Sequence, residues 1–239
     1  LHVKGEPLLH ARIDQLLDAS HAKGFKVNIT TNGTLIKKNR EKLLGKPALR
    51  QINFSLHSFD GHEGSENREK YLGDILEFVR DSREHNTIIS YRLWNLQQDQ
   101  VSDLVQRRNR ETLEILENEY NLDFRIEEKV QPGKGIKIAP NVFLNQDHEF
   151  QWPSLQAPED DGKGFCHALR SQAAILVDGT VVPCCLDGEG VINLGNINKT
   201  PFSEIIEGER ANALYDGFTR REAVEEMCRK CGYRQRFGV

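Results

Sequence analysis

Val27-Asn28-Ile29-Thr30-Thr31-Asn32-Gly33-Thr34-Leu35 decides the fold. A short β-branched run passes through a turn tripeptide, and an amphipathic stretch from about Thr34 to Leu44 follows, with Gly45 after it. The same unit recurs on both sides. Strand-like segments are Leu1–Val3, Val27–Thr30, Ile52–Leu56, Ile88–Leu93 and Phe124–Ile126. Between them lie stretches of helical period. Leu8, Leu9, Ile13, Leu16 and Leu17 form one stripe, which ends near Gly24. Tyr71, Leu72, Ile75, Leu76 and Val79 form another. Leu104 to Tyr120 forms a last one, with Ser102 as its N-cap. Strands that alternate with helices imply crossover connections and a parallel sheet, as in an α/β barrel or a doubly wound fold.

Beyond Ile126 the alternation stops. Gln131 to Gly135 reads as a turn and Ile136 to Leu144 as one more strand. Residues 145–163, rich in Asp, Glu, Gln, Pro and Gly, read as a linker. Ala173–Val177, Asp178-Gly179 and Val181–Val182 then spell a hairpin. Short helices are expected near Pro201–Gly208 and Ala211–Asp216. The domains are therefore 1–144, a linker 145–163, and a small C-terminal module 164–239. That module is too short for a large core of its own, and a bound metal group would staple it.

Composition narrows the function classes. The formal net charge of the 239 residues is −4, which gives no basic footprint for a nucleic acid. No apolar run approaches the roughly 20 residues of a membrane helix. The chain starts at Leu1 and its single methionine is Met227, so a missing N-terminal segment is expected. All five cysteines lie at or after Cys166. An odd count clustered at one end, with a C-x-x-C pair, fits a metal or iron–sulfur site in a reducing, cytoplasmic compartment better than a disulfide scaffold.

The tail reads Cys166, twelve residues, Gly179, four residues, Cys184, and later Cys228-x-x-Cys231. Four thiolates suffice for Zn²⁺ or for a [4Fe-4S] cluster, and spacing does not separate the two. Adjacent side chains on a strand face opposite ways, so Cys184 is assigned to the site and Cys185 to the core.

A second constellation falls at strand ends, where parallel α/β folds bind ligands. It comprises Gly5-Glu6-Pro7, Thr31-Asn32-Gly33, Ser55 with His57, and Arg92 with Asn95. Glu and Arg suit an amine and a carboxylate, and Thr, Asn and Ser suit a sugar. An amino-acid-like ligand carrying a ribose fits this set. Singly, Thr31-Asn32-Gly33 is an ordinary turn and Arg92 an ordinary ion-pair residue.

Gly5-Glu6-Pro7-Leu8-Leu9, Ile29-Thr30-Thr31-Asn32-Gly33-Thr34-Leu35 and Ser55 resemble radical S-adenosylmethionine enzymes. The tail, with Val182-Pro183-Cys184-Cys185 and Gly195-Asn196-Ile197, resembles their SPASM or shortened twitch extension. The resemblance implies a partial (β/α)6-type barrel missing its first βα unit, followed by a cluster-binding domain. It implies that Gly5 and Glu6 bind the methionine amino group, Ser55 and Arg92 the carboxylate end, and Thr31 the ribose side. It implies one auxiliary [4Fe-4S] cluster on Cys166, Cys184, Cys228 and Cys231. Asp187, three residues after Cys184, is a candidate catalytic proton acceptor, or else a solvated loop residue. A peptide or small-molecule substrate and an electron-donor protein are the implied partners, with no membrane and no nucleic acid.

The family's Cys-x3-Cys-x2-Cys loop, which holds the cofactor-cleaving cluster, is absent, because no cysteine precedes Cys166. A second [4Fe-4S] cluster is expected on the missing N-terminal segment, and the 239 residues alone are expected not to cleave S-adenosylmethionine. The rival readings are a zinc-stapled binding module without catalysis and an aldolase-like enzyme. The second lacks a strand-end lysine, with Lys4 the nearest candidate.

Overall fold

The computed structural model describes residues 1, 3–57, 68–94, 96, 102–131, 133–147 and 152–237. The chain divides into two units: Leu1–His2 with Glu6–Glu149, and Val3–Gly5 with Phe150–Val239.

The first unit is a mixed α/β fold around a five-stranded sheet. Its strands are β1 (Val27–Thr31), β2 (Leu49–Ser55), β3 (Ile88–Arg92), β4 (Gly135–Ala139) and β5 (Val142–Asn145), in the order β1-β2-β3-β5-β4. β1, β2, β3 and β5 are parallel, and β4 runs antiparallel on β5. The sheet is open, with β1 and β4 as its edges, and the described residues show no closed barrel. The helices are α1 (Ile13–Ala22), α2 (Ile36–Leu43), α3 (Arg68–Ser82), α4 (Asp103–Glu119) and α5 (Ile126–Lys129). Their apolar stripes are the periodic positions of the sequence: Ile13 and Leu17 on α1, and Leu72, Ile75, Leu76 and Val79 on α3, are buried in one core with Ile29, Ile52, Phe54, Ile89 and Tyr91. Each such side chain contributes roughly 1.5–3 kcal/mol by leaving water. Ser102 caps α4, its hydroxyl accepting the Val105 amide at 3.4 Å.

Three expectations change. Leu1–Val3 is not a strand among the described residues, although Leu1 exchanges backbone bonds with Asn28 and Thr30 beside β1. Phe124–Ile126 is not a strand either. The Ile126 amide donates to Glu117 Oε1 at 2.7 Å, and Ile126 starts α5 with its side chain buried, so α4 captures this segment before the sheet can. Ile136 to Leu144 is two strands, not one. The chain reverses at Asn141, whose φ is 59°, and only the second limb joins β3.

The second unit holds a three-stranded sheet, β6 (Ala174–Ile175), β7 (Thr180–Val182) and β8 (Gly195–Asn196), all antiparallel. It also holds α6 (Phe202–Ile206), α7 (Glu209–Thr219) and α8 (Glu226–Arg229). α7 starts before Ala211 and runs past Asp216, because Leu214 and Phe218, one turn apart, both reach the core. That core comprises Ala168, Ile192, Leu214, Phe218, Ala223 and Met227.

Of the expected linker, 145–147 belong to the first unit, with Asn145 ending β5, and 152–163 belong to this one. Asp160 pairs with Arg234, and the Asp160 amide donates to Arg229 O at 3.0 Å. The Ala223 amide donates to Gly162 O at 2.7 Å, and Lys163 forms a bridge with Glu222. Acidic residues that look solvated in the sequence are here partners of Arg229 and Arg234.

Candidate iron–sulfur centre and strand-end site

In the tail, the Asp178-Gly179 turn brings Cys184 to the end of β7. Gly179 has φ +89°, and a Cβ there would stand 2.5 Å from Asn198 Nδ2 and 2.9 Å from Asn196 Oδ1. Those asparagines both donate to Asp178 O, at 3.0 Å from Asn196 and 3.1 Å from Asn198. The Gly-x4-Cys spacing and the later Gly195-Asn196 pair are thus two halves of one lock on the hairpin.

Cys166, Cys184 and Cys228 pack on the tail core, Cys228 lies within α8, and Cys231 follows it. All five thiols are half-buried and free. Burial pushes Cys184 up to about 12, against the amides of Leu186 and Asp187 that pull it down. Burial likewise raises Cys228, and the thiols of Cys184, Cys166 and Cys231 raise it further. Cys166 is raised by burial, with the amides of Ala168 and His167 opposing and Cys231 adding to the rise. Cys231 is raised by burial, with the amides of Arg234 and Tyr233 opposing. Cys166, Cys184 and Cys228 share the tail core, and Cys231 lies three residues beyond Cys228. Cys184 and Cys185 lie in a turn beyond the end of β7, so strand alternation does not separate them; Cys185 is half-buried, is not among the residues packed on the tail core, and adds to the rise of Cys184.

Among the described residues, no three His, Cys, Asp or Glu side chains form a group that could hold a metal ion. The donor set fits a thiolate-ligated metal group chemically. Four desolvated, mutually repelling thiolates need positive charge at their centre, and amides aimed at three of the sulfurs are the hydrogen bonds that iron–sulfur thiolates use.

Asp187 is neither a solvated loop residue nor an open proton acceptor. It is 1% exposed, and its two oxygens accept the Val191 and Ile192 amides at 2.9 and 2.7 Å. It clamps the loop that leaves Cys184 and Cys185.

In the first unit the strand-end residues come together in part. Glu6 Oε1 accepts the Thr31 hydroxyl at 2.7 Å and the Leu8 amide at 2.9 Å, and Oε2 accepts the Asn32 amide at 2.8 Å. Three of a carboxylate's roughly four acceptor positions are thus filled within the unit. The Thr31 hydroxyl also accepts the Gly33 amide at 3.0 Å. Gly33 has φ +79°, and a Cβ there would meet Ile75 Cδ1 at 2.7 Å, so this turn needs glycine. Gly5, at φ +94°, precedes Glu6 in the chain.

Ser55 and Arg92 are register partners at the ends of β2 and β3, and Arg92 is in turn the partner of Asn145. The Arg92 guanidinium lies 5.7 Å from the Trp94 ring centroid. His57 stacks on the same ring at 5.5 Å, with its Nδ1 3.3 Å from Arg92 O. Sequence reasoning missed Trp94 and Asn145. A tryptophan two residues past a strand-end arginine was the available signal. Asn95 lies outside the described residues.

Residues 166–232 match the family model of SPASM, an iron–sulfur cluster-binding domain. The match falls on the tail that the sequence likens to a SPASM extension. No curated protein matches the chain. Among solved structures, the chain is similar to BtrN in complex with AdoMet and 2-DOIA, at 14% identity and a TM-score of 0.46, over 93% of this chain and 79% of that one. It is also similar to selenomethionine BtrN in an open conformation, at 14% identity and a TM-score of 0.31, over 83% and 79%. No helix among the described residues is long and apolar enough to cross a membrane.

Proposed function

We propose that the chain is the larger part of a radical S-adenosylmethionine oxidoreductase or maturase, acting on a peptide or small molecule, with an auxiliary [4Fe-4S] cluster in its tail. The observation that carries this reading is the SPASM match over residues 166–232, which contains Cys166, Cys184, Cys228 and Cys231, the first three packed on one small core. On this reading the parallel strands are those of a partial (β/α)6-type barrel that lacks its first βα unit.

When bound, an iron–sulfur cluster supplies one-electron chemistry. The chain's residues supply the rest. Cys166, Cys184, Cys228 and Cys231 are the ligands, and the amides of Ala168, Leu186, Asp187 and Tyr233 stabilise their thiolates. Asp187 fixes the loop after Cys184 and is a positioning residue. At the sheet, Arg92 and Ser55 receive the carboxylate end of S-adenosylmethionine, and the loop that Glu6 and Thr31 tie together receives its amino and ribose groups. The amine is left the one open acceptor position on Glu6 and the loop's carbonyls, since the other carboxylate positions are filled. In the intact protein S-adenosylmethionine held by these residues would supply, on receiving an electron, the chemistry that abstracts hydrogen from the substrate. An electron-donor protein is the implied partner. The ligands of the cleaving cluster are not among these residues, since no cysteine precedes Cys166.

The test is anaerobic reconstitution with iron and sulfide. About four irons and four sulfides per chain, in a brown protein, are expected. One tightly held zinc and no sulfide would replace this reading with the zinc-stapled module. With a strong reductant and S-adenosylmethionine, the chain alone should yield no catalytic 5′-deoxyadenosine, and turnover would overturn the assignment of all four tail cysteines to a closed cluster. Codons upstream of Leu1 that spell Cys-x3-Cys-x2-Cys would complete the reading.

A further inference from the structure

Arg234 is the one lysine or arginine buried among the described residues, at 3% exposure. Its guanidinium is used on every side. It pairs with Asp160, donates to Lys163 O, and donates through Nε to Cys228 O at 3.2 Å. Its backbone amide donates to Cys231 O at 3.1 Å. One residue thus grips both ends of the Cys228-x-x-Cys231 turn. Asp160 is held in turn, its Oδ1 accepting the Gly162 amide at 2.8 Å.

A buried arginine is expensive unless paired and fully hydrogen-bonded, and an exposed lysine would brace a turn as well. The position of this charge therefore calls for a purpose beyond bracing. The Arg234 guanidinium is bonded to the carbonyl of Cys228 and the Arg234 backbone to that of Cys231, which sets a buried cation directly against the turn that carries two of the four cysteines.

We propose that Arg234 is the charge-setting and positioning residue of the cluster site, raising the one-electron reduction potential of the group held by Cys166, Cys184, Cys228 and Cys231. This rests on the [4Fe-4S] reading of the tail. Reduction adds one negative charge to a group already ringed by thiolates, and a fixed cation in a low-dielectric surround favours the reduced form. Asp160 opposes it from the same ion pair. The two residues therefore pull the potential in opposite directions.

The experiment compares the wild-type chain with Arg234→Met, Arg234→Lys and Asp160→Asn, each reconstituted anaerobically. Iron and sulfide are counted, and the cluster is then titrated with dithionite and redox mediators while its absorption and electron paramagnetic resonance are followed. Arg234→Met should lower the midpoint potential, Arg234→Lys should lower it less, and Asp160→Asn should raise it. A merely structural role would not give opposite signs. Should Arg234→Met fail to hold iron, the opposite shifts of Arg234→Lys and Asp160→Asn decide. Equal potentials across iron-loaded variants would sink this proposal alone. Wild type without iron and sulfide would sink the cluster reading and the proposal together.

Discussion

The sheet unit buries Phe54, Phe78, Tyr91, Ile52, Ile75 and Ile89 in a single apolar core, whereas the tail closes on Ala168, Ile192, Leu214, Phe218, Ala223 and Met227 with three cysteines packed against them. The first is large enough to be stabilised by transfer of side chains from water. The second is a small core whose remaining contacts are thiols raised by burial, a lock of asparagines at Gly179 and an ion pair at Arg234. The difference teaches that the cluster proposed for the tail would serve first as a staple, because small domains need one that hydrophobic burial does not supply.

The largest expected effect breaks this contrast at its metal side. Cys228→Ser should abolish iron binding and remove hydrogen-exchange protection from β6, β7 and α7. Protection in β1, β2 and β3 should persist. Loss of protection in both units together would show that they are one cooperative system.

At the other pole stands Phe54→Ala. Phe54 is fully buried between Phe78 and Tyr91, at ring-centroid distances of 6.3 and 6.1 Å. Truncation should cost the sheet unit about 3–5 kcal/mol in urea unfolding. The iron content of the tail should not change, and a parallel loss of iron would contradict the contrast.

Asp187→Ala strands two buried amides and should destabilise the tail by about 1–3 kcal/mol. Asp187→Asn should restore much of this, since its carbonyl oxygen still accepts. If instead Asp187→Asn abolishes turnover of the intact enzyme at full stability and iron content, Asp187 is a proton acceptor after all.

The smallest effect is one of pH. Burial raises the Tyr91 hydroxyl well above its ordinary value, and Tyr120, bonded to it at 2.8 Å, is raised by burial too. Both groups keep their protons in the folded sheet unit at a pH where the unfolded chain has lost them. The pair's contribution to stability is therefore constant below about pH 10 and falls as pH rises above it. Thermal unfolding of Tyr91→Phe should show a shallower alkaline decline. An unchanged decline would remove the tyrosine pair as its cause.

The sequence was legible where the signal is local. Helical stripes need only periodicity, so α2, α3 and α4 fall where the apolar spacing puts them, whereas α1 starts only at Ile13, after a separate turn at Pro7–Leu9, and leaves Leu16 exposed. Glycine followed by Cys184 at a fixed distance is a covalent ruler along one hairpin, so the tail motif is read without any tertiary knowledge. Phe124–Ile126 and Ile136–Leu144 were misread because a short apolar run has no period to tell helix from strand, or one strand from two. Neighbours decided: Glu117 captured the Ile126 amide, and the reversal at Asn141 let β5, not β4, lie on β3.

What the amino-acid sequence determined by itself is the parallel α/β character, the helices, the hairpin and the cysteine set, because spacing carries all of these along the chain. Only the tertiary structure decided which polar side chains serve them. In sequence Arg229, Arg234 and Arg236 are three similar arginines around one C-x-x-C, and Asp160 and Asp187 are two acids in polar loops. In space Arg234 is buried against Asp160, and Asp187 is sealed over two amides. A charge is buried only where fixed partners are within hydrogen-bond reach, and those partners come from distant parts of the chain that only folding brings together.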